Sequence, residues 1–383
     1  MNSETCSIHS QTIMNNLRFE KHYIEVQLNT SNYFNSCWTK VNPVAPGFRA
    51  LTEDPGFVYS DDVAITIGLF NTLQSIVGSI LNFLVILAVI RNKDIRKEYL
   101  TPSVLSIAIT DFIFSAYVIP VSASRFFSRD YPFRAGCEFS AFTAHVLWLL
   151  SALNLLGISI LRCVVVFFPW NITNKEFKYS CRILPPLTWI ISILAMVKPL
   201  LGQYGRFGLE CRSFICKLID VDFNGNPTDF KPMKVYFIVI ISGGIIMLLL
   251  NLVAFFRVSY YSKNMFNQMK DINMDLAMQM LDREKKFAKM VAIVSVSFIL
   301  VYFPIFILLT VDEHAAATNE NAMLIAVTLT CSLVIVDPLA YIFCHKKYRI
   351  EIKIILRPIM EIMGSVYDTC FQPTHLPVAN HSN

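Results

Sequence analysis

The chain has 383 residues, of which 54% are hydrophobic and 16% charged, with a mean hydropathy of +0.50, against roughly 25% charged residues in soluble domains. That balance excludes a water-soluble globular protein, and 30 Phe against 13 Gly exclude a fibrous or low-complexity chain. The net charge of +5 does not point to nucleic acid, because the bases lie in short clusters between apolar runs, where they face lipid headgroups.

A helix rises about 1.5 Å per residue and the hydrocarbon core is about 30 Å thick, so about 20 mostly apolar residues make one span. Seven stretches qualify, at 63–90, 101–123, 136–168, 181–203, 233–257, 287–311 and 321–343. The expected fold is therefore all-α, a seven-transmembrane helix bundle over 63–343 with a short amphipathic C-terminal helix.

In chain order, residues 1–62 form a polar arm, expected to be largely disordered and outside the cell. Its start lacks the apolar run of a cleaved leader, so the first span is expected to direct insertion. The sequon Asn29-Thr30-Ser31 makes Asn29 a candidate glycosylation site. Span one carries Asn82, and the loop after it holds Arg91, Lys93, Arg96 and Lys97. Span two carries Asp111 after LSIAIT and runs into IPVSASRFF, Ile119 to Phe127; Arg125, Arg129 and Arg134 lie at its far end.

Span three opens on Cys137 and closes on Arg162, about 37 Å further along a helix, so the two mark opposite rims. Between them lie Ala144, Ser151, and His145 with Trp148, whose i, i+3 spacing puts both on one face. The segment ends in LRCVVVFFP, Leu161 to Pro169. Span four holds Trp189 and Pro199, and the following loop carries Cys211 and Cys216. Span five contains Tyr236, the pair Gly243-Gly244, and Asn251. From Asn264 to Lys289, a stretch that includes Glu284, apolar and basic residues alternate at helical spacing. That pattern fits spans five and six extending beyond the membrane to meet a partner, and equally fits a solvated helix face.

In span six, Phe298 precedes Tyr302-Phe303-Pro304, with Phe306 beyond. Pro304 removes a backbone hydrogen bond and kinks the helix. Span seven ends in Asp337-Pro338-Leu339-Ala340-Tyr341, followed by an amphipathic stretch over 344–357 and a tail over 358–383 in which Cys370 is a candidate for palmitoylation.

Lys and Arg collect on the cytoplasmic side of short loops. The basic loop after span one, the basic stretch after span five and His345, Lys346, Lys347 and Arg349 after span seven contrast with Asp312, Glu313 and Glu320 between spans six and seven. The alternation places the N-terminus outside and the C-terminal tail in the cytoplasm, in the plasma membrane. A seven-helix channel with the opposite orientation is disfavoured on the same ground. No nucleophile–base pair, metal-ligand spacing or phosphate loop appears, so an enzyme is not expected. No internal repeat of the transporter kind appears either.

The ordered set of motifs resembles the rhodopsin-like (class A) G-protein-coupled receptors over residues 63–357. LRCVVVFFP resembles the D-R-Y-x-x-V-x-x-P segment of that family, keeping Arg162, Val166 and Pro169 but placing Leu161 where the acid belongs and Cys163 where the aromatic does. Asn82, Asp111, Trp189, the Tyr302-Phe303-Pro304 segment and the Asp337-Pro338-x-x-Tyr341 motif each fall on the matching span. The IPVSASRFF stretch looks like the invertebrate Moody and Trapped-in-endoderm receptors.

The resemblance implies a receptor that binds an extracellular ligand in the outer half of the bundle and activates a heterotrimeric G protein by outward movement of helix six. It implies a switch in which Arg162 pairs with Glu284, supported by Pro304, Tyr302, Pro169 and Tyr341. It also places Asp111, Asp337, Ser151 and Asn82 around an allosteric sodium ion, the only ion expected and no cofactor otherwise. Two facing acids must otherwise share a proton. Cys137 is implied to bridge to the second outer loop at Cys211 or Cys216, with Cys216 preferred. His145, Trp148, Tyr236 and Phe306 are implied to line the ligand pocket. With Ala144 where amine receptors carry an aspartate, a lipid or a peptide suits that pocket better than a cationic amine. The departures at Leu161, Cys163, Gly243 and Asn251 leave a rival expectation, an atypical or decoy receptor with little G-protein coupling.

Overall fold

The computed structural model describes residues 60–128, 134–168, 175–203, 205–210, 215–219, 232–268, 274–310 and 320–371. The arm before residue 60, Asn29, Pro169, Cys211 and the end of the tail lie outside the described residues, as does the side chain of Glu284.

Seven helices are long and apolar enough to cross a membrane: span one Asp61–Arg91, two Thr101–Ser128, three Gly136–Phe167, four Lys175–Leu200, five Val235–Val258, six Lys289–Leu308 and seven Leu324–Cys344. The fold is the expected seven-span helical bundle. Apolar side chains cover both the inside and the outside of it. Leu69, Leu194, Leu249, Phe256 and Leu300 are each more than half exposed, an arrangement that suits a lipid solvent and not water. Span three is the central helix: 61% of its apolar window is buried, against 28% for span four at the periphery.

Span four starts at Lys175, earlier than the expected 181, because its polar first turns continue the helix past the apolar stretch that hydropathy detects. It closes on Gly202, whose φ of 73° only glycine adopts without cost. Gln203 N–H then donates to the Lys198 carbonyl at 2.9 Å, capping the last turn. Beyond it, β1 (Arg206–Glu210) pairs antiparallel with β2 (Ile215–Ile219), with Phe207 opposite Leu218 and Leu209 opposite Cys216. This hairpin packs on span three. Span two is interrupted by a π-turn at Phe114–Val118.

At the opposite end, the terminal helix runs Lys346–Phe371, past Pro358 and past the expected end at 357. It is tied to the loop after span one. Glu98 receives Lys347 Nζ at 2.7 Å and lies 3.2 Å from His345 Nε2, while Glu351 takes Asn92 Nδ2 at 3.0 Å and Arg91 Nε at 3.5 Å. Tyr348 and Ile352 are buried beneath the helix, with Lys346, Lys347, Arg349 and Lys353 exposed.

Spans one, two and seven meet closely at Gly78, where a Cβ would lie 2.6 Å from Val334 Cγ2 and 3.1 Å from Ser115 Cβ. Both are stiff, branched or main-chain-proximal atoms that cannot swing aside. Gly78→Ala is expected to cost about 1–3 kcal/mol by overpacking, visible as a lower Tm of the detergent-solubilised chain. Gly157→Ala makes the comparison, since its close neighbour is the flexible end of Leu184. A Gly78→Ala chain melting at or above the Gly157→Ala chain would contradict the packing argument.

Candidate functional site

Three polar or aromatic clusters lie along the bundle axis. At the hairpin end, Cys137 is bonded to Cys216 of β2, which fixes the hairpin to the first turns of span three. Of the two expected partners, Cys216 is the one used. The register of the hairpin then puts Phe207 over span three, its ring 5.8 Å from Phe142 and 5.5 Å from His145.

His145 is buried, with Nδ1 2.8 Å from the Ala141 carbonyl one turn back. In that pose Nδ1 carries the proton and donates, and Nε2 has no hydrogen-bond partner. Around the imidazole stand Trp148 at 5.4 Å and Tyr236 at 5.2 Å, and the Tyr236 hydroxyl donates to the His145 main-chain carbonyl at 2.8 Å. Trp148 also meets Phe114 at 5.8 Å and Tyr302 at 6.4 Å. Three of the four expected pocket residues, His145, Trp148 and Tyr236, thus share one aromatic cage. The fourth, Phe306, packs half-buried against the main core. Phe207 was not anticipated from sequence. The polar–apolar alternation in RFGLE, followed after a short connection by the apolar-rich ICKLI, is the signal that would have found it.

Halfway along the bundle the Asn82 amide nitrogen donates to the carbonyls of Gly78 at 2.9 Å and Val334 at 2.8 Å. Val334 lies one turn before Asp337, so span one is held beside the carboxylate of span seven. Asp111 and Asp337 are both buried and interact electrostatically. Asn82 Oδ1, Asp111 Oδ2 and both Asp337 carboxylate oxygens are buried with no hydrogen-bond partner. Ser151 is buried on span three. The donors gathered here are two carboxylates with neutral oxygens, a set that suits a hard cation and not a transition ion.

Nearest the terminal helix, Arg162 is 1% exposed. Its Nη1 donates to Asn251 Oδ1 at 3.4 Å, and the Asn251 amide nitrogen faces Ser159 Oγ at 2.8 Å, the Met247 carbonyl at 2.8 Å and Ser295 Oγ at 3.1 Å. One amide of span five therefore ties span three to span six. Ser159 and Arg162, at i and i+3, reach it from the same face of span three. Leu161 is buried among apolar neighbours, Tyr341 is buried with its ring 6.5 Å from Tyr348, and Pro304 and Glu284 lie on one continuous helix, Met274–Thr310. The partnership of Asn251 with Arg162 was not foreseen. A polar residue inside an otherwise apolar span was its only sequence signal.

Residues 81–341 match the family described as 7 transmembrane receptor (rhodopsin family). The chain is similar to Melanopsin-B of Xenopus laevis, 26% identical over 296 residues, covering 76% of this chain and 54% of that protein. It is similar to Protein trapped in endoderm-1 of Drosophila melanogaster, 25% identical over 146 residues, 37% of each chain. The chain thus spans about half the length of the first relative and a smaller share of the second. The crystal structure of squid rhodopsin has the same fold, with a TM-score of 0.66 at 21% identity over 82% of this chain and 89% of that one.

Proposed function

The chain belongs to the rhodopsin family of seven-transmembrane receptors, and from that premise we propose that it binds an extracellular ligand at the hairpin end and activates a heterotrimeric G protein at the end that carries the terminal helix. In this reading the hairpin end faces outward, the N-terminal arm is outside, and the tail lies in the cytoplasm. The charge alternation of the loops supports that orientation.

The observation that carries the proposal is the tie of spans three, five and six at Asn251. Outward movement of span six separates Ser295 from Asn251, which releases span six from the amide that holds Arg162 and opens the face where Arg162 lies to a partner. A ligand that prefers the open state shifts the balance between the two arrangements by its differential affinity. The aromatic cage supports the other half of the proposal, because Trp148 of span three, in ring contact with His145, also meets Tyr302 of span six, linking the ligand end to the moving helix. The atypical or decoy reading draws support from Leu161, whose apolar side chain offers Arg162 no charge. The two readings part on one experiment. Purified chain in nanodiscs, mixed with nucleotide-free heterotrimers of each Gα class, is expected to form a complex stable to gel filtration and dissolved by a GTP analogue. Failure with every class would favour the decoy reading.

The donor set around Asp111 and Asp337 fits a sodium ion, since the buried oxygens of Asn82, Asp111 and Asp337 lack protein partners. When bound, the ion would offset one of the two facing negative charges and favour the closed bundle. Sodium is expected to raise the Tm of the wild-type chain relative to potassium, and Asp337→Asn is expected to remove that difference. A sodium effect of equal size in Asp337→Asn would contradict the assignment.

A further inference from the structure

Arg125 lies in the last turns of span two and is 5% exposed. Its Nε donates to the Val121 carbonyl at 3.2 Å on its own helix, and its Nη1 lies 2.8 Å from Cys216 Sγ of the disulfide. A disulfide sulfur is a weak acceptor and carries no charge. Among the described residues no carboxylate pairs with this guanidinium. A buried cation without a counter-charge is unfavourable by several kcal/mol, and an ionisable group inside a spanning segment marks a functional site by default.

A second unpartnered group stands nearby. Cys216 and Leu218 are two residues apart on β2, about 7 Å. Leu218 pairs with Phe207, whose ring meets His145. His145 Nε2 is buried without a hydrogen-bond partner. Between Cys216 and Leu218 stands Lys217, whose charge acts on His145. Positive charge therefore lines the hairpin, and aromatic rings lie deeper along span three. On the side of span two, Phe114 meets Trp148 at 5.8 Å, so the aromatic wall continues from span three to span two.

We infer that Arg125 is the counter-ion for the acidic headgroup, a carboxylate or a phosphate, of an amphiphilic ligand whose apolar tail reaches the His145, Trp148 and Tyr236 rings. The inference rests on the reading that the hairpin end takes the ligand, and deepens it by naming the chemistry recognised. An acidic headgroup supplies the missing charge, and an apolar tail suits a cage built of the rings of His145, Trp148 and Tyr236.

The test measures binding without any G protein, so that it is separate from signalling. Wild-type chain in nanodiscs of neutral phosphatidylcholine is titrated with radiolabelled dodecanoate and with dodecyl phosphate, with dodecanol, dodecyltrimethylammonium and acetylated tetraglutamate as competitors. Saturable binding of at least one anion is expected, competed by neither dodecanol, the cation nor the peptide, and the tighter of the two anions names the headgroup. Arg125→Gln is expected to weaken it about thirtyfold or more, with Arg125→Lys retaining most of the affinity. Should Arg125→Gln fail to fold, the competition series on the wild-type chain decides. Equal binding by Arg125→Gln and wild type, competition by dodecanol or by the peptide as strong as by the anions, or no saturable binding of either anion would each overturn the inference. Anion binding that leaves nucleotide exchange unchanged would count against the signalling proposal and leave this site standing.

Discussion

Cys137→Ser and Cys216→Ser are each expected to remove most of the folded chain from the cell surface. The disulfide closes a loop of 79 residues, and in the chain-entropy account losing such a crosslink costs about 4–5 kcal/mol, comparable to the whole net stability of many domains. The local consequences point the same way. Cys216 anchors β2, β2 fixes the register of Phe207, and Phe207 covers His145. Releasing the hairpin uncovers the aromatic cage and leaves Arg125 facing a lone thiol or hydroxyl. The measurement is surface labelling of an epitope on the N-terminal arm against total expression. The double variant is expected to be no worse than either single one, because both remove the same bond. Normal surface levels in Cys137→Ser would contradict the structural role, and a double variant much worse than the singles would show that the cysteines act separately.

Asn251 gives the second large effect, and here the sign is the test. Asn251→Leu removes one acceptor of Arg162 and the tether to Ser295. Each hydrogen bond is worth about 1 kcal/mol net, so the open arrangement of span six is expected to gain about fivefold or more over the closed one, read as faster ligand-free nucleotide exchange. Asn251→Asp places a carboxylate against the guanidinium, and the Ser295 hydroxyl, which donates to the Val291 carbonyl in the wild type, turns to donate to that carboxylate and keeps the tether. A charge-assisted bond is about twice as strong as a neutral one, so ligand-free exchange is expected to fall below wild type. General damage to the bundle would move both variants in the same direction. Ser295→Ala, which cuts the tether but leaves the contact between Arg162 and Asn251, is expected to fall between wild type and Asn251→Leu.

The spans were legible in the sequence because a helix crossing lipid satisfies its own backbone groups and must be long and apolar to do so. All seven appear, and the differences lie at their ends. The start of span four was missed because Lys175, Glu176 and Lys178 are polar, and hydropathy carries no information on whether a polar turn stays helical. The terminal helix outruns the expected end at 357, continuing through Pro358 to Phe371. The hairpin was missed for another reason. Two five-residue strands are individually weak signals, and these hold together through the Cys137–Cys216 bond and span three.

Of the candidate site, spacing along one helix was legible and pairing between helices was not. His145 and Trp148 follow from an i, i+3 rule, and so does the common face of Ser159 and Arg162. That Asn251 of span five would meet Arg162 depends on the rotation of two helices about their axes, which no local pattern specifies. The same holds for Arg125. It fell beyond the expected end of span two at 123, yet the span continues to Ser128 and Arg125 is buried beside the disulfide of the hairpin.

The central claim is that Arg162, held by Asn251, gates a G protein. It is tested most directly by guanine-nucleotide exchange on purified heterotrimers by the chain in vesicles, comparing wild type, Asn251→Leu and Arg162→Ala. The account predicts exchange above receptor-free vesicles for wild type, a further rise for Asn251→Leu, and a fall to the receptor-free rate for Arg162→Ala at normal surface expression. Exchange at the receptor-free rate for both wild type and Asn251→Leu across all Gα classes, or undiminished exchange by Arg162→Ala, would contradict it.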